Sequence, residues 1–547
     1  MPLPLNAPRK LLLSTLATAA LSCQLTSAEP ALSSADSFTG KLTTTTEIEL
    51  DLPLGSYIAG TISINSSASN AKADLLIPSG PGKPMRQLLE SVEHQGQFRF
   101  VTAESPQPLR IHNTTQASDA EVSPQIDYRL SITRQVPPEE QIPPQPEYLS
   151  PEVNKLAHAI KSGDSIDTIW QSLAKQGTPL IEPTDQPDSR VMTFLYRGAK
   201  SNVRIFGAPP NDHDPMSRLL DSDIWFKSYI VPDDTRLAYQ LAPDIPEFAG
   251  KPWERRVAIT ATAQADPLNR YPWPASAATA SPYNYDSSID LRKLNTPPQN
   301  EESAPRQGQL SEHQLSSEIL GNRRNLWIYR SEHFDPKDPD SQLLILFDGK
   351  EYTRKIDVPR IIDNLVEQGT LHSIAAVFID NPSREARAQE LPANPKFADF
   401  MADELLPWAE HTLNMDARPE QTILAGSSYG GLAATTVALS HPQLFANVLS
   451  MSGSFWWSAP GTPAENSEYV ALQVATTPSQ PIRFFLSAGV FETARDGVGI
   501  LETNRHLRDV LTAREYPVEY REYSGGHDYF IWQEILADGL TALAAYP

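Results

Sequence analysis

Cysteine is nearly absent from this 547-residue chain: Cys23 is the single thiol. A chain cut after Ala28 therefore keeps no thiol and no disulfide. Basic residues are outnumbered as well, with 45 lysines and arginines against 67 aspartates and glutamates and a formal net charge of −22. A surface that holds nucleic-acid phosphates needs a basic excess, so that class of partner is excluded. An anionic small ligand is not, because a few arginines make a local positive pocket on an acidic protein. Beyond the leader no stretch is long and apolar enough to span a bilayer, so stable membrane insertion is not expected. There is no internal repeat.

What is present begins with a leader. Arg9 and Lys10 form a basic start, "LLLSTLATAAL" is a short apolar run, and "TSA" ending at Ala28 offers small residues for cleavage. Residues 1–28 read as a secretory signal peptide, too short for a transmembrane helix. Lipid attachment at Cys23 ranks second, since the preceding "ALS" is a poor lipoprotein box. The expected product is an exported, soluble, disulfide-free protein. With 40% hydrophobic and 20% charged residues, a chain of this length is expected to hold two or three domains.

Three textures follow the leader. Residues 37–133 carry short β-branched runs ("TTTTEIELDL", "SYIAGTISI", "GQFRFVTA", "DYRLSIT") broken by Ser, Asn, Gly and Pro, which predict a small all-β sandwich. No catalytic spacing of histidines or carboxylates occurs there, and a spacer or docking role is expected. Residues 134–153 are a proline-rich acidic linker. A helical stretch opens at Ser150 as N-cap with Pro151 in first position. A second β-rich domain extends to about residue 300, with strands at "VMTFLYRG", "NVRIFGAP", "IWFKSYIV" and "LAYQLAP". In residues 305–547, buried-strand runs ("QLLILF", "IAAVFI", "TILAG", "IRFFLSAG") alternate with amphipathic helices. That alternation predicts an α/β domain with a largely parallel sheet covered on both faces.

Inside that last region "TILAGSSYGGLAATTVAL" runs strand, turn, helix. The turn Gly426-Ser427-Ser428-Tyr429-Gly430 fits the G-x-S-x-G nucleophile elbow, whose tightness asks for residues without side chains beside the nucleophile. That spacing selects Ser428; Ser427 has Ala425 and Tyr429 at the corresponding positions. The base is expected late in the chain, and His527 in "SGGHDYF" follows the strand "VEYREY". His372, His411, His441 and His506 precede a strand or lie in or after helices, and read as surface residues. The acid that orients the imidazole should follow "IRFFLSAG". Glu492 is the choice and Asp496 the reserve, while Asp528 stands too close to His527 in sequence. For the oxyanion hole, Tyr429 supplies one backbone amide, and Gly349 or Lys350, after the strand "LLILF", supplies the other. Asp348 is expected to brace that loop. The chemistry predicted is serine hydrolysis of an ester or amide.

The C-terminal half resembles esterase D-type α/β-hydrolases and specifically enterochelin (enterobactin) esterases. The resemblance rests on "GNRRNLWIY", "FDGKEYT", "REARAQELPANPKF", "GSSYGGLAA", "SMSGSFWW", "SAGVFE" and "GGHDYFIW". Farther upstream, "GTPLIEP", "VMTFLYRG", "DPMSRLLDSDIWFKSYIVPDD" and "DPLNRYPW" resemble that family's Ig-like N-terminal domain, so roughly residues 150–547 are covered. The resemblance implies hydrolysis of the serine-ester backbone of a tricatecholate siderophore in its ferric form, with iron only as part of the substrate and no resident cofactor or metal. It maps the nucleophile to Ser428, the base to His527 and the acid to Glu492. Substrate contacts map to Arg387 and Asn394, within an R-x-x-E-L-x-x-N stretch, and to Trp456 and Trp457; core packing could equally claim one of the tryptophans, and a surface ion pair could equally claim Arg387. A guanidinium and flat rings suit an anionic aromatic ligand. The leader and the extra β-domain depart from the family's cytoplasmic members and point to the periplasm. The competing readings are a feruloyl- or acetyl-type carbohydrate esterase and a siderophore-binding protein without turnover.

Overall fold

Strict alternation in "TTEIEL" and "YIAGTISIN" gives strands Thr45–Leu50 and Tyr57–Asn65, which turn alternate side chains inward. The computed structural model describes residues 37–544, apart from 69, 79–83, 116–123, 142–147, 208, 210–212, 250, 275–280, 294–305, 464–466 and 494–497. The leader, Cys23, part of the linker and Asp496 lie outside the described residues. The chain divides into two units, Met1–Gln145 and Pro146–Pro547.

In the first unit, Ser37–Leu42, Ile126–Val136, Tyr57–Asn65 and Gln95–Val101 form one sheet in that spatial order. Thr45–Leu50, Gln107–Asn113, Ala73–Pro78 and Met85–Val92 form the other. Ile58, Ile62 and Leu130 of the first meet Leu75, Leu109 and Ile111 of the second in a shared core, which makes a sandwich.

The second unit opens where Ser150 accepts a hydrogen bond from the Val153 amide at 3.0 Å and caps helix Pro151–Lys161. The expected helical stretch is in fact two helices. Gly163, at φ +89°, ends the first turn of the break before Ile166–Gln176 begins. Val153, Leu156, Ile169 and Leu173 pack on Leu195, Leu219 and Phe226, covering a sheet of Ser217–Arg218, Ile224–Pro232, Ser189–Arg197 and Leu180–Pro183. Facing it is a sheet of Val203–Gly207, Arg236–Pro243, Asp286–Asp290 and Pro272–Trp273. Phe194, Trp225, Val203, Leu237, Tyr239 and Ile289 fill the space between them.

The same unit contains an eight-stranded sheet. Its strands, numbered along the chain, are β1 (Gln309–Ser317), β2 (Asn322–Arg330), β3 (Gln342–Phe347) and β4 (Ile374–Ile379), followed by β5 (Thr422–Ser427), β6 (Asn447–Met451), β7 (Arg483–Gly489) and β8 (Val518–Tyr523). The spatial order is β1-β2-β4-β3-β5-β6-β7-β8, antiparallel at β1/β2 and β2/β4 and parallel thereafter. Continuous apolar runs such as "IAAVFI" are required because both faces are covered, by two separate cores. This is the expected α/β-hydrolase arrangement, following two β-sandwiches along the chain. The carboxyl ends of the parallel strands lie along one edge, where open α/β sheets hold their sites. No helix of the described residues is long and apolar enough to cross a membrane.

Candidate active site

β5 leads straight into helix Tyr429–Ser440, and Ser428 stands between them at φ 57°, ψ −120°. A non-glycine residue held there stores on the order of 1–3 kcal/mol of strain, a mark of functional turns. Backbone bonds fix it: the Ser428 amide donates to Met451 O at 3.0 Å, and its carbonyl accepts from Leu432 and Ser454, both at 3.1 Å. A Cβ on Gly426 would lie 2.5 Å from the Gly430 carbonyl carbon, so glycine is required there. Gly430 is different. A Cβ at that position would meet Phe347 Cβ at 3.5 Å and Asp348 Oδ2 at 3.6 Å, which is ordinary contact. The expected steric demand thus holds on one side of the turn only. Ser427 is buried in the strand end, while the Ser428 hydroxyl pairs with Ser454 Oγ at 3.2 Å.

The loops after β7 and β8 bring Glu492 and His527 together. His527 Nδ1 lies 2.5 Å from Glu492 Oε1, with the imidazole 36% exposed and the carboxylate side chain 1% exposed. The other carboxylate oxygen accepts from Ser452 Oγ at 2.7 Å and from the Gly489 amide at 2.6 Å. Hydrogen-bond partners thus meet both oxygens of this buried side chain. Trp532 Nε1 donates to Ser452 Oγ at 3.0 Å and presents its ring edge-on to the imidazole, 4.8 Å between centroids. Ser452 immediately follows Met451, whose carbonyl receives the Ser428 amide, so the serine and the acid–histidine pair converge on the end of β6. Ser452 and Ser454 were not singled out from sequence; the available signal was two serines directly after the apolar run "NVLSM".

Tyr429 opens the elbow helix, and Gly349 and Lys350 open helix Gly349–Arg354 after the parallel neighbour β3. First-turn amides have no acceptor within their own helix, so all three are available to an oxyanion. Asp348 stands immediately before helix Gly349–Arg354, in the left-handed region at φ 55°. Its carboxylate is gripped by Arg387, Nε to Oδ1 at 2.6 Å and Nη2 to Oδ2 at 2.8 Å, and by Asn381 Nδ2 at 2.7 Å.

Arg387 is thus ion-paired: it braces the loop under the Gly349 and Lys350 amides, while its guanidinium lies 5.9 Å from the centroid of the Tyr429 ring and its side chain stays 29% exposed. Asn394 is committed too: it caps helix Pro395–Phe400 by accepting from the Lys396 amide at 3.0 Å and donates to Gln389 O at 3.0 Å. Glu390, in the same stretch, holds buried Arg324 at 3.0 Å. Arg387, Glu390 and Asn394 of the R-x-x-E-L-x-x-N stretch thus all bond neighbouring chain segments. The two tryptophans part ways. Trp457 packs on the α/β core and edge-on to Tyr469, whereas Trp456 is 42% exposed with its ring 6.1 Å from that of Tyr429.

Asp528 is kept from the imidazole by another task. Its Oδ1 accepts from the Phe530 and Ile531 amides at 2.9 and 3.0 Å, capping helix Tyr529–Ala544. Burial pushes its carboxyl from an ordinary 3.8 up to about 7. Between those values the folded chain holds a proton that the unfolded chain has released, so stability falls as pH rises and the loss is complete above about 7. At about 1.4 kcal/mol per pH unit the penalty is on the order of 4 kcal/mol. Asp528→Asn keeps the capping oxygen and removes the charge. Urea denaturation at pH 5 and pH 8 should show a marked loss of stability in the parent protein and a much smaller one in the variant. Equal losses would refute the assignment.

Residues 317–543 match the family described as "Putative esterase", and residues 191–292 match "Enterochelin esterase, N-terminal". The iron(III) enterobactin esterase of Dickeya dadantii (strain 3937) is 30% identical over 409 residues, which cover 68% of this chain and 92% of that protein. Among solved structures, the ferric enterobactin esterase of Salmonella typhimurium aligns with a TM-score of 0.56 at 26% identity, over 69% of this chain and 98% of that one. The enterobactin esterase of Shigella flexneri, solved in the presence of enterobactin, gives 0.54 at 25% identity, over 69% and 97%. With the elbow and the buried acid–histidine pair, likeness along nearly the whole length of these relatives shows that the chain belongs to the enterochelin esterase family of serine ester hydrolases.

Proposed function

We propose that this protein hydrolyses the ester bonds of a ferric tricatecholate siderophore trilactone, so that the iron is released, with Ser428, His527 and Glu492 as nucleophile, base and acid. The observation that carries the reading is the Glu492–His527 pair docked through Ser452 on the strand end that also holds the strained Ser428. Glu492 holds the proton on Nδ1 of the imidazole, which leaves Nε2 as the acceptor. As Ser428 Oγ attacks the ester carbonyl, its proton passes to Nε2, and the carbonyl oxygen becomes an oxyanion facing the Tyr429 and Gly349 or Lys350 amides. Collapse breaks the ester C–O bond; the imidazolium returns its proton to the departing serine hydroxyl of the substrate. Water then repeats the sequence on the acyl-enzyme, with His527 again as base, and frees the acid product.

Trp456 and Tyr429, their rings tilted 41° to one another, offer aromatic faces beside the nucleophile for a catechol, and the Asp348-paired guanidinium of Arg387 lies 5.9 Å from the centroid of the Tyr429 ring. The named substrates of the relatives favour this class. Incubating the protein with ferric enterobactin should give linear and monomeric catecholoyl-serine products by mass spectrometry, faster than it cleaves feruloyl-arabinose esters. The reverse preference, or an intact trilactone, would sink the reading. The leader-like residues 1–28 support a periplasmic location; recovery from the cytosolic fraction alone would overturn that part.

A further inference from the structure

We infer that the second sandwich is part of the catalytic centre: Arg236, on its strand Arg236–Pro243, is a positioning residue for His527. This inference rests on the reading of His527 as the base. The segment that carries the imidazole is tied to that strand on both sides. Before it, the Arg236 amide donates to Ser524 O at 2.9 Å. A Cβ on Gly525 would lie 2.9 Å from Arg236 O, so the loop runs directly against the sandwich backbone.

After the imidazole, the Arg236 guanidinium crosses the ring of Phe530 at 3.9 Å from its centroid. It ends on two successive residues of the terminal helix, with Nη2 2.9 Å from Gln533 Oε1 and Nη1 3.2 Å from Glu534 Oε2. Those partners are themselves fixed. Gln533 Nε2 donates to Ile356 O at 3.1 Å, and Glu534 takes both arms of Arg292 at 2.8 and 2.7 Å. Trp273 of the sandwich meets Phe530 from the other side, 5.6 Å between centroids. Among the described residues of the α/β part, the imidazole's hydrogen-bond partner is Glu492 and its ring neighbour is Trp532.

The guanidinium is nearly buried, and a planar fork is what permits simultaneous bonds to an amide oxygen and a carboxylate above an aromatic face. Lysine can reach Glu534 or Gln533 but cannot reproduce that set. A displacement of the imidazole by about 1 Å is enough to lower a rate by about 10²-fold without altering how substrate docks. Arg236 therefore acts on kcat through His527, not on KM.

The test uses the full chain. Arg236→Ala should lower kcat for ferric enterobactin about 10–100-fold with KM within about twofold, and fluorophosphonate labelling of Ser428 should slow in parallel. Arg236→Lys should fall between, and it carries the test if the alanine variant does not fold. Asp286→Asn breaks the Asp286–Lys355 pair, at 2.8 Å, across the same boundary. It should lower Tm without lowering kcat. If the Arg236 variants lose Tm while kcat and labelling per folded molecule stay within about twofold, Arg236 is only an interface residue and the inference is overturned. A parent protein that neither labels nor turns over would overturn the serine-hydrolase reading beneath it.

Discussion

Ser428→Ala is expected to lower ester hydrolysis by about 10⁶-fold and leave the fold intact. Neither neighbouring serine is placed to replace the nucleophile: Ser427 is buried within the strand end, and Ser454, itself buried, stands outside the elbow. Ser428 Oγ makes one hydrogen bond, to Ser454 Oγ at 3.2 Å, so its removal should change stability by about 1 kcal/mol or less. The backbone bonds that shape the turn, to Met451, Leu432 and Ser454, survive the substitution. Residual activity of about 10³ over water is expected, because the Tyr429, Gly349 and Lys350 amides still meet the developing oxyanion. Steady-state hydrolysis and covalent capture by a fluorophosphonate check this together. Labelling that persists in Ser428→Ala, or that disappears in Ser427→Ala alone, would move the nucleophile elsewhere.

How much could be read in advance depended on whether a residue's partner lay close in sequence or followed a fixed topological order. β3 and β4 coincide with apolar runs because nearly every position in them is buried. β1 was missed: "QLSEHQLSS" is a half-exposed edge strand with two leucines, so hydrophobicity says little about it. Met85–Val92 was missed for a related reason, since bulged pairing with Ala73–Pro78 breaks its alternation. Glu492 was legible because the strand order of this fold fixes where an acid can meet a late histidine. The partner of Arg387 is not legible, because Asp348 lies 39 positions earlier on another strand end. The link from Arg236 to Glu534 spans 298 positions and has no local signature at all.

Glu492→Gln is the second large effect, about 10⁴-fold in kcat, and it separates orientation of the imidazole from mere occupancy of the site. The carboxylate now receives three donors: the imidazole on Oε1, and Ser452 Oγ and the Gly489 amide on Oε2. A glutamine offers one acceptor and one donor. The Gly489 N–H is fixed by the backbone, and Ser452 already accepts from Trp532, so its hydrogen stays directed at residue 492. Both therefore demand the amide oxygen, which turns the amide NH₂ toward His527. The imidazole must then accept at Nδ1 and carry its proton on Nε2, the nitrogen that has to take the proton of Ser428. Packing is preserved, so Tm should move little while kcat collapses. A variant that keeps more than about a tenth of the parent rate would show that Glu492 does not set the tautomer of His527, because a carboxylate that only filled space could be exchanged for its isostere at little cost.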